Sequence, residues 1–272
     1  MNYYDKAQFD NISNEKFAFI LIEIKENVLY LTLNRAAQKN ALHPQMVNEI
    51  AFCLQYAHET KHIWIVVIKA NGNVFCSGAD LKAIMGLIEE NNSTIPLPKK
   101  EILLGELFQN THVPIIAQVS GDVYAGGFFF LSGSSIVVAQ NNIKLGLPEV
   151  KRGLFPFQVM ASLLNVMPVR KVLDWCIRGY NLSVEEAEKY GLISHIATEK
   201  DIEMKVQEIV SELLQNSPSA IKLGLEAFNN IQQKTSQQAY LMSMLQKTIL
   251  TKDGQEGINA FREKRKPNWI GE

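Results

Sequence analysis

The chain has 272 residues, 47% hydrophobic and 20% charged, with a formal net charge of -1 at pH 7; this suits a globular protein with one substantial core and removes the electrostatic argument for a nucleic-acid partner. No apolar run reaches the ~18 residues of a membrane span, and the first residues lack a signal peptide's apolar core. Cys53, Cys76 and Cys176 have neither disulfide-framework nor metal-site spacing, so the expectation is free buried thiols in a reducing compartment, the cytoplasm, with no membrane partner.

Residues 1–16 are polar and read as a loosely attached segment. Phe19 to Ile24 and Val28 to Leu33 read as strands joined by a turn at Lys25-Glu26-Asn27. Pro44 to Thr60 has helical periodicity, with Met46, Val47, Ile50, Leu54 and Ala57 on one face and Pro44 suited to a first turn. Ile63 to Lys69 is a continuous β-branched run, as expected of a strand buried on both faces. Residues 89–98 carry turn formers and two prolines without periodicity, which predicts the most mobile stretch.

A helix over about 99–109 and a strand over 114–119 follow, then a glycine-bearing turn, a helix over about 126–132 and a strand over 135–139. Recurring strand–turn–helix units predict a repeated βα architecture. Beyond Val184 the chain reads as mainly helical, with Gly191 as a C-cap after 185–190 and helices at about 201–215, 218–232 and 235–251.

Two turns stand out. Phe75-Cys76-Ser77-Gly78-Ala79-Asp80-Leu81 and Gly121-Asp122-Val123-Tyr124-Ala125-Gly126-Gly127 each follow an apolar strand. Glycine lets the backbone approach a ligand closely. Two amides aimed at one carbonyl oxygen would make an oxyanion hole. Neither turn has the Gly-Lys-Ser/Thr ending of a phosphate loop.

These turns, together with Leu33-Asn34-Arg35, Asn40-Ala41-Leu42 and Gly146-Leu147-Pro148-Glu149, resemble the ordered signatures of the crotonase (enoyl-CoA hydratase/isomerase) superfamily from about residue 18 to the end. The resemblance implies an α/β fold, a spiral of β-β-α repeats with two sheets, comprising a core over 1–200 and a C-terminal helical trimerisation region over 201–272. It implies an acyl-CoA thioester as substrate, with coenzyme A part of the substrate and no separate cofactor, and a homo-oligomer, a trimer or a dimer of trimers.

Position by position, the resemblance makes the Ala79 and Gly126 amides the oxyanion donors and Glu149 the catalytic acid–base. Ser77, Asp80, Leu81, Phe129 and Lys264 are the expected substrate contacts, with Asp80 also suited to cap a helix and Asp122 to a structural role. Lys264 belongs to a basic terminus, 261–269, that would meet CoA phosphates or simply be solvated. Gln158 and Tyr124 are further candidates for a polar group in the cleft.

One departure matters. Hydratases of this superfamily place a second glutamate where this chain has Phe129, within Phe128-Phe129-Phe130. Two carboxylates can hold and activate a water; one beside a phenyl ring cannot do so in the same way. The expected chemistry is therefore isomerase-like, with Glu149 moving a proton between carbons. A non-catalytic acyl-CoA-binding or assembly protein and other enolate chemistries, thioester hydrolysis or decarboxylation, stay open.

His58-Glu59-Thr60-Lys61-His62 matches the zinc-protease spacing. It lies at the end of a short amphipathic helix with no completing histidine, so no metal is expected. His43, His112 and His195 are isolated and expected to be structural.

Overall fold

The structure, a computed structural model, describes residues 1–10, 12–87, 90–152, 154–231, 247 and 249–272. Strands β1 (Ile20–Lys25) and β2 (Val28–Leu33) form the antiparallel hairpin, one residue later at its start than the sequence suggests. Glu26 takes a positive φ of 52° in its tight turn. Helix α1 (Pro44–Glu59) follows, with Met46, Ile50 and Leu54 buried.

From there the chain spirals between two sheets. Strands β3 (Ile65–Ala70), β5 (Ile115–Val119) and β7 (Ile136–Gln140) join one sheet, ordered β1-β2-β3-β5-β7-β10 with β10 at His195–Ala197. Strands β4 (Val74–Cys76), β6 (Asp122–Tyr124) and β8 (Leu145–Gly146) join a second sheet, closed by β9 (Asn181–Leu182). Each circuit thus contributes one strand to each sheet. The β2-β3-β5-β7-β10 pairings are parallel. The central strand β5 is buried along its whole length, as its apolar composition requires.

Short helices return the chain between circuits: α2 (Leu81–Ile84), α3 (Leu104–Gln109), α4 (Phe128–Gly133), α5 (Phe157–Leu163), α6 (Val169–Arg178) and α7 (Val184–Lys189). Helices α8 (Ile202–Leu213) and α9 (Pro218–Ile231) agree with the sequence reading. The helix expected over 235–251 falls almost wholly outside the described residues. A helix over Lys252–Glu263, which the sequence reading lacked, closes the chain.

Two expectations are corrected. The N-terminal segment is not loose: Tyr3, Tyr4, Phe9 and Ile12 are buried. Tyr4 and Phe9 each pack on Phe52 of α1 at a ring-centroid distance of 5.1 Å. The buried Gln55 carboxamide accepts from the Tyr3 and Tyr4 amides at 2.8 and 3.2 Å and donates to the Tyr4 carbonyl at 3.1 Å. Four apolar side chains in a mostly polar run suffice to bury it once such a carboxamide satisfies its backbone. Helix α3 also starts later than expected, at Leu104. The Lys99 amide is instead held at 2.9 Å by the Tyr3 carbonyl.

Candidate active site

The first turn leaves β4 at Cys76 and reaches α2 through Gly78, whose φ is +90°. An added Cβ there would lie 2.6 Å from Ala125 Cβ and 2.9 Å from the Gly126 nitrogen, so only glycine fits. The turn is pinned by an isolated parallel bridge. The Leu42 amide donates to the Gly78 carbonyl at 2.8 Å and the Asp80 amide to the Leu42 carbonyl at 3.3 Å. The bridge leaves the exposed Ala79 amide outside the ladder.

The second turn follows β6. Gly126 sits in the short 3-10 segment Ala125–Gly127, where first-turn amides have no intrahelical acceptor. A methyl group added to Gly126 would sit 3.5 Å from the Ala79 nitrogen and 3.1 Å from Leu42 Cδ1. The two turns therefore abut, and Ala79 and Gly126 are neighbours in space.

An open cleft of about 1000 Å³ lies along this junction. Ser77, Ala79, Asp80, Leu81, Lys82, Leu87, Tyr124 and Pro148 are among the residues that line it. Asp80 caps α2, accepting from the Lys82 and Ala83 amides at 3.0 and 3.3 Å through Oδ1. Its Oδ2 accepts from Arg35 Nη1 at 2.7 Å. Burial alone would raise the Asp80 pKa, but the Ala83 amide, Arg35 and the Lys82 amide outweigh it and hold the carboxyl below its ordinary value. Asn40, wholly buried with a φ of +51°, accepts from the Arg35 amide at 2.8 Å and donates to the Asn71 and Val74 carbonyls. The Asn–Ala–Leu signature thus fixes the loop that braces the first turn.

Glu149 begins a 3-10 turn, Glu149–Arg152, directly after Pro148. It is half-buried, and its Oε2 is shielded from solvent. The Cys176 thiol of α6 is pushed up to about 11 by burial and then by the Glu149 carboxylate, which places that charge beside α6.

Tyr124 lines the cleft and donates through its hydroxyl to Asp122 Oδ2 at 3.0 Å, while Asp122 Oδ1 accepts from the Lys144 amide at 2.8 Å. Burial and then Asp122 raise the Tyr124 pKa. Gln158 is exposed on α5.

Gly126 and Glu149 adjoin the cleft-lining Ala79 and Pro148 without themselves lining the cleft, and two expected contacts lie elsewhere. Phe129 is 8% exposed and faces a separate cavity of about 370 Å³ with Gly105, Phe108, Ser162 and Phe228. Among the described residues no side chain lines both that cavity and the cleft. The rotation of α4 decides this: Phe128 packs on Trp175 at 4.9 Å and Phe130 on Phe75 and Phe108 at 5.6 Å each, which turns Phe129 toward α3 and α5. Lys264 is exposed beyond the last helix and does not line the cleft.

Packing accounts for His43, His58 and His112, and His112 is not isolated as expected: its ring lies 5.0 Å from that of His58. His43 caps α1, accepting from the Gln45 amide at 3.1 Å, and its ring meets Phe19 at 5.0 Å. His58 Nδ1 accepts from the His112 amide at 3.2 Å, and α1 ends before the exposed His62.

Among the described residues no helix is long and apolar enough to cross a membrane. Residues 23–272 match the family model described as Enoyl-CoA hydratase/isomerase. Enoyl-CoA hydratase domain-containing protein 3, mitochondrial, from Rattus norvegicus is 30% identical over 90% of this chain and 82% of its own length. Mevalonyl-coenzyme A hydratase sidH from Aspergillus fumigatus is 28% identical over 89% of this chain and 91% of its own. The crystal structure of a probable enoyl-CoA hydratase/isomerase from Mycobacterium abscessus superposes with a TM-score of 0.82 at 27% identity, covering 94% of this chain and 99% of that one.

Proposed function

The chain belongs to the enoyl-CoA hydratase/isomerase family, and from that premise we propose that it moves a double bond within an enoyl-CoA thioester using one carboxylate. The observation that carries this reading is the adjacency of the two turns, with an added Gly126 methyl only 3.5 Å from the Ala79 nitrogen in the wall of an open cleft. The Ala79 and Gly126 amides donate to the thioester oxygen and stabilise the enolate charge that develops there. Glu149 removes a proton from C2 of a 3-enoyl thioester and returns it at C4. Electrons shift from the C2–H bond through the carbonyl and back, so no water is consumed.

Phe129, whose ring faces the second cavity, stands where hydratases of the superfamily place their second glutamate, and the two aspartates that line the cleft are engaged by neighbours, Asp80 by Arg35 and Asp122 by the Tyr124 hydroxyl; this favours isomerisation over hydration. Ser77, Asp80 and Leu81 line the cleft. Lys264 meets the CoA phosphates of a neighbouring subunit in a homotrimer or dimer of trimers. An exposed apolar stripe on α6, Val169, Leu173 and Ile177, supports such an assembly. Three buried thiols support a cytoplasmic setting.

Assays with 3-enoyl-CoA and 2-enoyl-CoA on wild type and Glu149→Gln test the reading. Isomerisation abolished by Glu149→Gln, with little hydration in either protein, is expected. Equal rates in the two proteins remove Glu149 from the mechanism. CoA affinity without turnover on any acyl-CoA favours a binding protein instead.

A further inference from the structure

Strands β6 and β8 run side by side in parallel, with Val123 opposite Leu145 and Tyr124 opposite Gly146. The turn after β6 holds Gly126, and the turn after β8 holds Glu149. The ladder therefore brings both turns out at the same end of the sheet. It sets no distance beyond its last pair, because Leu147, Pro148 and Glu149 lie outside the strand. Something else must hold Glu149 at its separation from Gly126.

Helix α6 reaches both turns. On one side Trp175, wholly buried, meets the ring of Phe128 edge to face at 4.9 Å, close behind Gly126 in the chain. On the other side α6 ends at Gly179, which takes a φ of +60° and donates its amide to the Trp175 carbonyl at 2.9 Å. A methyl group added to Gly179 would lie 2.9 Å from Val150 Cγ2 and 3.1 Å from the Leu147 carbonyl oxygen. Those two residues bracket Pro148 and Glu149. Trp175 Nε1 donates to the Tyr180 carbonyl at 2.9 Å, so one residue seats α6 on Phe128 and holds the chain at Gly179 and just past it. Asn181 of β9 then rejoins the ladder opposite Gly146.

Packing this close passes a displacement on rather than absorbing it. A side chain at position 179 has no room: one neighbour is backbone, and the other is a branched side chain next to Glu149 in the chain. The turn would have to move away from α6, taking Glu149 with it, while Trp175 keeps α6 on Phe128.

We propose that the close approach of Gly179 to Leu147 and Val150 sets the separation of the Glu149 carboxylate from the Gly126 amide, which makes Gly179 a positioning residue for the proton transfer. This rests on the enoyl-CoA reading of the site. Misplacing a reacting group by about 1 Å can cost about 10²-fold in rate. Binding along the cleft at Ser77, Ala79 and Leu81 does not involve the Glu149 turn. The cost therefore falls on kcat and not on KM.

The test compares Gly179→Ala with Gly191→Ala in the full chain. Gly191 follows α7 with a φ of +85°, and its added Cβ would lie 2.9 Å from the Val166 carbonyl oxygen, so it carries similar strain away from the Glu149 turn. With 3-enoyl-CoA, Gly179→Ala should lower kcat about tenfold or more and leave KM within about twofold, while Gly191→Ala keeps kcat within about twofold. Adding Val150→Ala to Gly179→Ala should recover part of the loss. Val150→Ala alone loosens the same contact without strain at position 179; if Gly179→Ala does not fold, a kcat unchanged in Val150→Ala overturns the proposal. So does an unchanged kcat in Gly179→Ala, or an equal loss in the two glycine variants. Wild-type protein that turns over no enoyl-CoA overturns the isomerase reading alone, and the Cys176 thiol, one turn before Gly179, then decides the positioning role. Its titration, followed by ultraviolet absorbance, should begin at lower pH in Gly179→Ala, as the Glu149 carboxylate leaves α6, and the substitution should make no difference in a Glu149→Gln background. No change in the first comparison, or the same change in both, overturns it.

Discussion

Arg35 Nη1 donates to Asp80 Oδ2 at 2.7 Å, and both side chains are buried, one residue beyond the Ala79 amide. The guanidinium also donates to the Ala41 carbonyl at 3.3 Å and lies 5.2 Å from the centre of the Phe19 ring. This pair ties the β2 end, the Asn40 loop and the α2 cap into one unit. Removing one partner leaves a buried charge uncompensated, which typically costs about 3–5 kcal/mol. Asp80→Ala should lose stability of that order in urea melts. A double variant, Arg35→Met with Asp80→Leu, should recover much of it, because the charge is gone from both sides.

The two glycines of the turns fail differently. Gly78→Ala forces a side chain at φ +90° into Ala125 Cβ at 2.6 Å, so the midpoint of thermal unfolding should drop. Gly126→Ala meets Leu42 Cδ1 at 3.1 Å, an end that can shift, and should fold. Its methyl group sits in ordinary contact with the Ala79 nitrogen, 3.5 Å away, where the two turns meet. Both amides remain as donors, so on the proposed mechanism kcat should fall by much less than the loss of about 10²–10³ that follows removal of one such donor.

Glu149 and Cys176 report on each other without any substrate. Burial and then the Glu149 charge push the thiol up to about 11. Glu149→Gln removes the charge and leaves the burial, so the Cys176 pKa should fall. Thiolate formation at Cys176, followed by ultraviolet absorbance, should then begin at lower pH in the variant. An unchanged titration would mean that the carboxylate does not sit beside α6.

Acid should act first through the His58 cluster. Burial, then Lys222 and His112, pull His58 down to about 3. An unfolded histidine titrates near 6.5. Its folded pKa is depressed, so the unfolded state binds more protons and stability is lost as pH falls from about 6.5 toward 3. Lys222 Nζ donates to the His58 carbonyl at 2.5 Å, which ties α9 to the end of α1. His58→Gln should flatten the stability profile over that window in denaturant melts at stepped pH.

Much of the fold was legible because its signals are local. The β-branched run before Asn71 could only be a strand covered on both faces, and β3 is one. The order of the two glycine turns, Asn40-Ala41-Leu42 and Pro148-Glu149 was enough for the superfamily. Asp80 as an N-cap followed from its place before a short apolar helix. The arm was misread because polar composition hid Tyr3, Tyr4, Phe9 and Ile12, whose partners on α1 are some 40 or 50 residues away.

What the amino-acid order alone determined was which segments can form strands, helices and sharp turns, since propensity, period and turn chemistry act over a few residues. Which of those segments meet was decided by tertiary packing. The spiral sets Gly126 against Ala79. The Phe128–Trp175 and Phe130–Phe75 contacts fix the rotation of α4 and send Phe129 to a cavity of its own. A side chain's direction depends on what fills the space around its helix, and that space is built by residues far along the chain.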